Sequence, residues 1–113
     1  MKGNMEILKL DETSFAPQVL QSDLPVLVDF TAVWCQPCKM LDPIVQQLAA
    51  GEWEGKLKLV KLDIDDQPGL TQTYGVMGVP TLMLFINGKP VERVSGFQQK
   101  AALIKRFGPH LGL

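Results

Sequence analysis

Pro25-Val26-Leu27-Val28-Asp29-Phe30-Thr31, followed by Ala32-Val33-Trp34-Cys35-Gln36-Pro37-Cys38, is the stretch on which the reading of this chain turns. Its first half is almost unbroken Val, Leu and Phe, the pattern of a central strand buried on both faces. Its second half carries the chain's two cysteines, three positions apart. Beyond them Leu41, Ile44, Val45 and Leu48 recur at helical spacing and predict an amphipathic helix from Cys35 or Pro37 to about Ala50. The pair therefore falls where a strand hands over to a helix. A Cys-x-x-Cys beside a βαβ pattern reads as a dithiol redox site. On a helix, side chains at i and i+3 are neighbours, roughly 5–6 Å apart at Cβ, and modest tightening of the turn lets the sulfurs bond. Such a couple opens and closes with little backbone motion, as reversible redox chemistry requires.

The flanking segments complete an α/β pattern. Residues 5–10 read as a short first strand, and Thr13 or Ser14 as the cap of a first helix, with Pro17 tolerable near its start. Asp23-Leu24-Pro25 ends that helix. Pro43 lies inside the second helix and is expected to kink it. Residues 57–64 form another strand, an acidic turn follows over 63–66, and Pro68 opens a short helix that stops at Gly75. Residues 81–86 are a strand, Asn87-Gly88 a hairpin turn, and 91–94 its antiparallel return. Residues 97–107 predict a last amphipathic helix, with Leu103, Ile104 and Phe107 inward, Lys105 and Arg106 in its last turn and Gly108-Pro109 ending it. This order implies a central mixed β-sheet flanked by helices on both faces.

Composition narrows the function classes. With 113 residues the chain is expected to form a single domain, 1–113, large enough for one core. Its net charge of −1, with no long run of one sign, argues against nucleic acid or an anionic membrane as partner. No apolar run approaches the ~20 residues of a membrane helix, and the N-terminal residues show no signal-peptide core. Two cysteines do not make a secreted disulfide scaffold, so a reducing, cytoplasmic setting is expected.

The nucleophile of disulfide exchange is the thiolate, which a helix N-terminus favours through its unpaired N–H groups and dipole. Cys35 occupies that place. Cys38 lies one turn inside and is expected to be more buried, with a higher pKa. Cys35 then attacks a substrate disulfide, and Cys38 resolves the mixed disulfide. Other readings of the pair stay open. Zinc wants four ligands, and the chain offers only His110 besides the two cysteines, but two chains pooling their pairs around a metal or an iron–sulfur cluster would satisfy the count. A purely structural bridge would close almost no loop.

Asp29 stands in the most apolar strand, where an unpaired charge is costly. Lys61 occupies a similar place in the 57–64 strand, and adjacent strands would bring the two together. Asp29 reads either as a buried acid of raised pKa exchanging protons with Cys38, or as half of a core ion pair or a solvent-facing edge residue. Val79-Pro80-Thr81 is ordinarily a trans strand start, with a cis bond beside the active site as the minority alternative. Trp34 reads as a docking surface or as partly buried. Trp53, Tyr74, Met77 and His110 read as surface or packing residues, and Glu52, Glu54 and Lys56 as a solvated face.

The ordered series Val28-Asp29-Phe30, Ala32 to Met40, Pro43, Val60 to Asp65, Tyr74-Gly75-Val76, Gly78-Val79-Pro80-Thr81, Phe85-Ile86-Asn87-Gly88 and Ser95-Gly96 resembles the thioredoxin family over nearly the whole chain. The resemblance implies the thioredoxin fold, Cys35 as attacking and Cys38 as resolving cysteine, and no cofactor or metal beyond the redox-active pair. It implies that Asp29 is the buried acid serving Cys38, with Lys61 its partner, and that Pro80 follows a cis bond. Trp34, Gln36, Pro37, Gly78, Val79, Pro80 and Gly96 would line the docking surface, the Val79 backbone hydrogen-bonding an extended substrate segment. Implied partners are disulfide-containing proteins and a separate thioredoxin reductase, NADPH- or ferredoxin-dependent, with the protein itself a monomer. An oxidant or isomerase on the same fold, and an assembly subunit with an incidental dithiol, are the competing functions. The chain departs from the family at Gln36, where glycine is usual, at Thr31, where a tryptophan usually packs near the site, and at Phe97, where smaller residues are common. The first bears on redox poise, the second on packing around Asp29, and the third on the size of the docking patch.

Overall fold

A computed structural model of the chain describes residues 7–113. Its elements are β1 (Leu8–Lys9), α1 (Glu12–Phe15, continued by a π-helical stretch, Ala16–Leu20), β2 (Val26–Thr31), α2 (Gln36–Ala50), β3 (Lys58–Asp63), α3 (Pro68–Thr73), β4 (Thr81–Ile86), β5 (Lys89–Ser95) and α4 (Lys100–Phe107), which runs into a 3₁₀ turn, Gly108–Leu111. Residues 5 and 6 of the expected first strand lie outside the described residues. The strands form one sheet in the order β1-β3-β2-β4-β5. β1, β3 and β2 run parallel, while β4 and β5 are antiparallel to their neighbours. This is the thioredoxin fold, with β2 at its centre.

The unbroken apolar run of β2 has its explanation in the two cores. Val26, Val28 and Phe30 pack with Phe15, Val19, Val60, Leu62, Met83 and Phe85 on one face. Leu27 packs with Leu41, Val45, Leu48, Leu59, Leu84, Leu103 and Phe107 on the other. Because strand side chains alternate, Asp29 and Thr31 share the face of Leu27, the one covered by α2. That alternation delivers a carboxyl beneath the helix that bears the cysteines.

Two local expectations are corrected and a third is narrowed. The cap of α1 is Asp11, not Thr13 or Ser14: its Oδ1 accepts from the N–H groups of Thr13 and Ser14 at 2.9 and 2.8 Å. Ser14 answers as the third helical residue, its hydroxyl accepting from the Asp11 N–H at 2.9 Å, a reciprocal capping box. The last helix begins at Lys100 rather than Phe97, because Gly96 is left-handed (φ +85°) and Gln99 extended (φ −71°, ψ 157°); Phe97 packs partly buried against the core of α2 and α4. Trp53 is wholly a packing residue. It is fully buried and meets Phe107 edge-on at 6.0 Å between ring centres. Its exposed neighbours Glu52 and Glu54 hide this in the sequence, while a backbone bond from Trp53 N–H to the Leu48 carbonyl (2.8 Å) folds the turn under the helix end.

The hairpin between β4 and β5 takes the turn its residues favour, with φ +53° at Asn87 and +78° at Gly88. Gly88 is doubly constrained: a Cβ there would lie 2.7 Å from the Leu20 carbonyl oxygen. Gly88→Ala is expected to destabilise the protein by more than about 1 kcal/mol, read as a lower urea midpoint at unchanged slope. An unchanged midpoint would show that the Leu20 backbone yields.

Candidate active site

Cys35 is the N-cap of α2, with extended backbone (φ −89°, ψ 108°). Its Sγ accepts the Cys38 N–H at 3.2 Å, and its carbonyl accepts the Lys39 N–H at 3.3 Å. Cys38 lies one turn inside the helix. Their Cα atoms are 5.3 Å apart and a disulfide joins them. The expected difference in burial is absent in this bridged state, where both residues are buried, because the bond ties the Cys35 sulfur back against the first helical turn. What distinguishes the two is place: one sulfur faces the helix N-terminus, the other belongs to the helix wall.

The bridge sits among Ala32, Ile64 and Val79. Beside it in the chain and on the cis segment, Trp34 is 65 % exposed, and Gln36, Pro37 and Gly78 also lie at the surface. The Trp34 indole N–H donates to Asp65 Oδ2 at 2.7 Å, which fixes an exposed ring in orientation. The Val79–Pro80 peptide is cis, as the resemblance implied and against the ordinary preference of such a dipeptide. Two bonds secure the segment: the Thr81 hydroxyl donates to the Gly78 carbonyl at 2.7 Å, and the Gly96 N–H donates to the Pro80 carbonyl at 2.8 Å. A Cβ at Gly78 or Gly96 would meet nothing within 4 Å, so both glycines border open space.

Asp29 and Lys61 are direct partners in the β2–β3 ladder, and their side chains share the α2 face. The hydrogen bond of Lys61 nevertheless goes elsewhere. The Lys61 ammonium donates to Asp42 Oδ2 at 2.6 Å. Asp42, absent from the residues singled out above, stands on α2 one turn beyond Cys38. Its signal was a carboxyl four residues after Cys38, set between the inward-facing Leu41 and Ile44. Asp29 is buried, and its carboxyl is pushed up to about 7: burial acts first, then the like charge of Asp42, while Lys61 pulls the other way.

The family model for thioredoxin matches residues 6–108. The chain belongs to the thioredoxin family. It is 48 % identical to a thioredoxin of Rickettsia felis over 93 residues, covering 82 % of this chain and 88 % of the relative. It is 42 % identical to thioredoxin 1 of Nostoc over 103 residues (91 % and 95 %), and 45 % identical to a thioredoxin of Mycobacterium tuberculosis over 100 residues (88 % and 85 %). Thioredoxins are protein-disulfide oxidoreductases, and the bridged Cys35–Cys38 pair is the dithiol–disulfide couple of that activity here. A cavity of about 340 Å³ is lined by Thr31, Ala32, Cys38, Asp42 and Lys61 among others. Among the described residues no group of three or more His, Cys, Asp or Glu is placed to hold a metal ion, and no helix is long and apolar enough to cross a membrane.

Proposed function

We propose that the protein reduces disulfides of other proteins, with Cys35 attacking and Cys38 resolving. The observation that carries this reading is the Cys35 sulfur at the cap of α2, accepting a helix N–H. In the dithiol form the same N–H and the helix dipole favour the Cys35 thiolate. That thiolate attacks one sulfur of a substrate disulfide, forming a Cys35–substrate bond and expelling the other sulfur as a thiolate, which takes a proton from water. Cys38 then gives its proton to the ionised Asp29 carboxylate and attacks the Cys35 sulfur. The second substrate thiolate leaves and is protonated, directly or through water, by Asp29. Two electrons and two protons pass to the substrate, and the Cys35–Cys38 bridge remains.

Trp34, Gln36, Pro37, Gly78, Val79, Pro80 and Gly96 form the docking surface in this reading, supported by their exposure or their attachment to the cis segment beside the bridge. A separate thioredoxin reductase, NADPH- or ferredoxin-dependent, returns the couple to the dithiol. The protein works as a cytoplasmic monomer with no cofactor beyond the couple.

Direction of flow is tested by the midpoint potential in a defined glutathione or dithiothreitol buffer. Gln36 brings no positive charge between the cysteines, so the disulfide is not activated as an oxidant. The expected midpoint is more reducing than roughly −200 mV; a value near roughly −120 mV, that of a dedicated oxidant, would overturn the reading.

A further inference from the structure

Cys38 and Asp42 lie four residues apart on α2 and so stack on one face of it. Both border the cavity that Thr31 lines, and so does Lys61. Asp29, opposite Lys61 in the ladder, is turned to the same side. Two carboxyls and one ammonium thus converge behind the resolving cysteine, and the ammonium is committed to one of them: Lys61 bonds Asp42 Oδ2. The other oxygen, Asp42 Oδ1, is buried with no hydrogen-bond partner among the described residues. A buried carboxylate oxygen demands a donor. A protonated Asp29 carboxyl, set opposite Lys61 on the face beneath α2, would supply one, and its ionisation would remove it.

We propose that Asp42 is a positioning residue that sets the pH at which Asp29 exchanges its proton. Lys61 bonds one oxygen of Asp42, and the other is left to accept the Asp29 O–H. Ionisation of Asp29 then breaks the hydrogen bond and leaves two carboxylates face to face beside a single ammonium. The other charged groups around this cavity are Lys39 on α2, Asp63 on β3 and Lys9 on β1; β4 places uncharged Leu82 beside Asp29. The catalytic consequence, though not the proton-sharing itself, rests on the proposed service of Asp29 to Cys38.

The test is a carboxyl-carbon NMR titration of the disulfide form, in which neither sulfur titrates. Asp42→Asn and Asp42→Ala remove the like charge and free Lys61 to pair with Asp29. Asparagine keeps the shape and alanine suits a helix, so two independent variants carry the measurement. In each folded variant the Asp29 midpoint is expected to fall by about one pH unit or more, a tenfold change in its ionisation constant. A midpoint within a few tenths of wild type would overturn the proposal. The rate at which Cys38 resolves a preformed mixed disulfide supplies the second readout: its pH profile should move to lower pH in Asp42→Asn and flatten in Asp29→Ala. A profile unchanged by Asp29→Ala would defeat the acid–base role of Asp29, while the titration alone still judges Asp42.

Discussion

Cys38→Ser is expected to stall the protein on its substrate. Cys35 keeps its place at the helix cap, so attack proceeds and a Cys35–substrate disulfide accumulates. Release then depends on thiols from solution. In the native pair resolution is unimolecular, with Cα atoms 5.3 Å apart on one helical turn. Well-placed intramolecular groups reach effective concentrations of 10⁵ M or more, far above any dissolved thiol, so multiple-turnover reduction should fall at least ~10³-fold. Serine is close to cysteine in size and leaves Ala32, Ile64 and Val79 packed around the site. Intact-mass analysis should find one substrate chain per protein, attached at Cys35. Wild-type turnover in this variant, or an adduct elsewhere, would refute the assignment of roles.

Asp29→Asn is expected to stabilise the oxidised protein at alkaline pH. The Asp29 carboxyl is 2 % exposed and is pushed up to about 7 from an ordinary 3.8, chiefly by burial. Its folded value lies above its unfolded one, so protonation of the folded state keeps the fold at full strength below about pH 4. Stability declines as the pH rises toward 7, and the cost is complete beyond it. That cost amounts to up to about 4 kcal/mol, which the uncharged amide does not incur. Denaturant unfolding at pH 4 and pH 9 should show the two proteins within about 1 kcal/mol of each other at the lower pH and the variant clearly ahead at the higher. Glu92, Glu52 and Asp11 are shifted in the opposite direction, but all are common to the two proteins and drop out of the difference. Equal stability at pH 9 would mean that Asp29 reaches water or a full counter-charge.

These two experiments bracket the same design. A thioredoxin needs one sulfur that ionises readily and a second that is activated only when a mixed disulfide forms. A helix cap provides the first through local geometry. A carboxyl buried under the second turn, retaining a proton near neutrality, is suited to the second. The stability sacrificed at Asp29 is thus tied to its proposed use, as is common for buried ionisable groups at functional sites.

What could be read from the chain before folding was whatever neighbours along it impose. The β2 run, the Cys35–Cys38 spacing, the helical stripe of α2 and the Asn87-Gly88 turn each encode their structure within a few residues, because strand alternation, helix periodicity and positive φ are local constraints. The Asp11 cap is equally local, but the Thr13 and Ser14 hydroxyls beside it compete for the same role in the sequence. Partners across space were another matter. The Asp29–Lys61 register followed from adjacent strands, but the ammonium went to Asp42, because the packing of α2 over the sheet carries that carboxyl across β3. Trp53 was drawn inward by the meeting of α2 with α4. Charge pairing and burial depend on which surfaces meet and at what distance, and those distances exist only once the sheet and its helices have closed on one another.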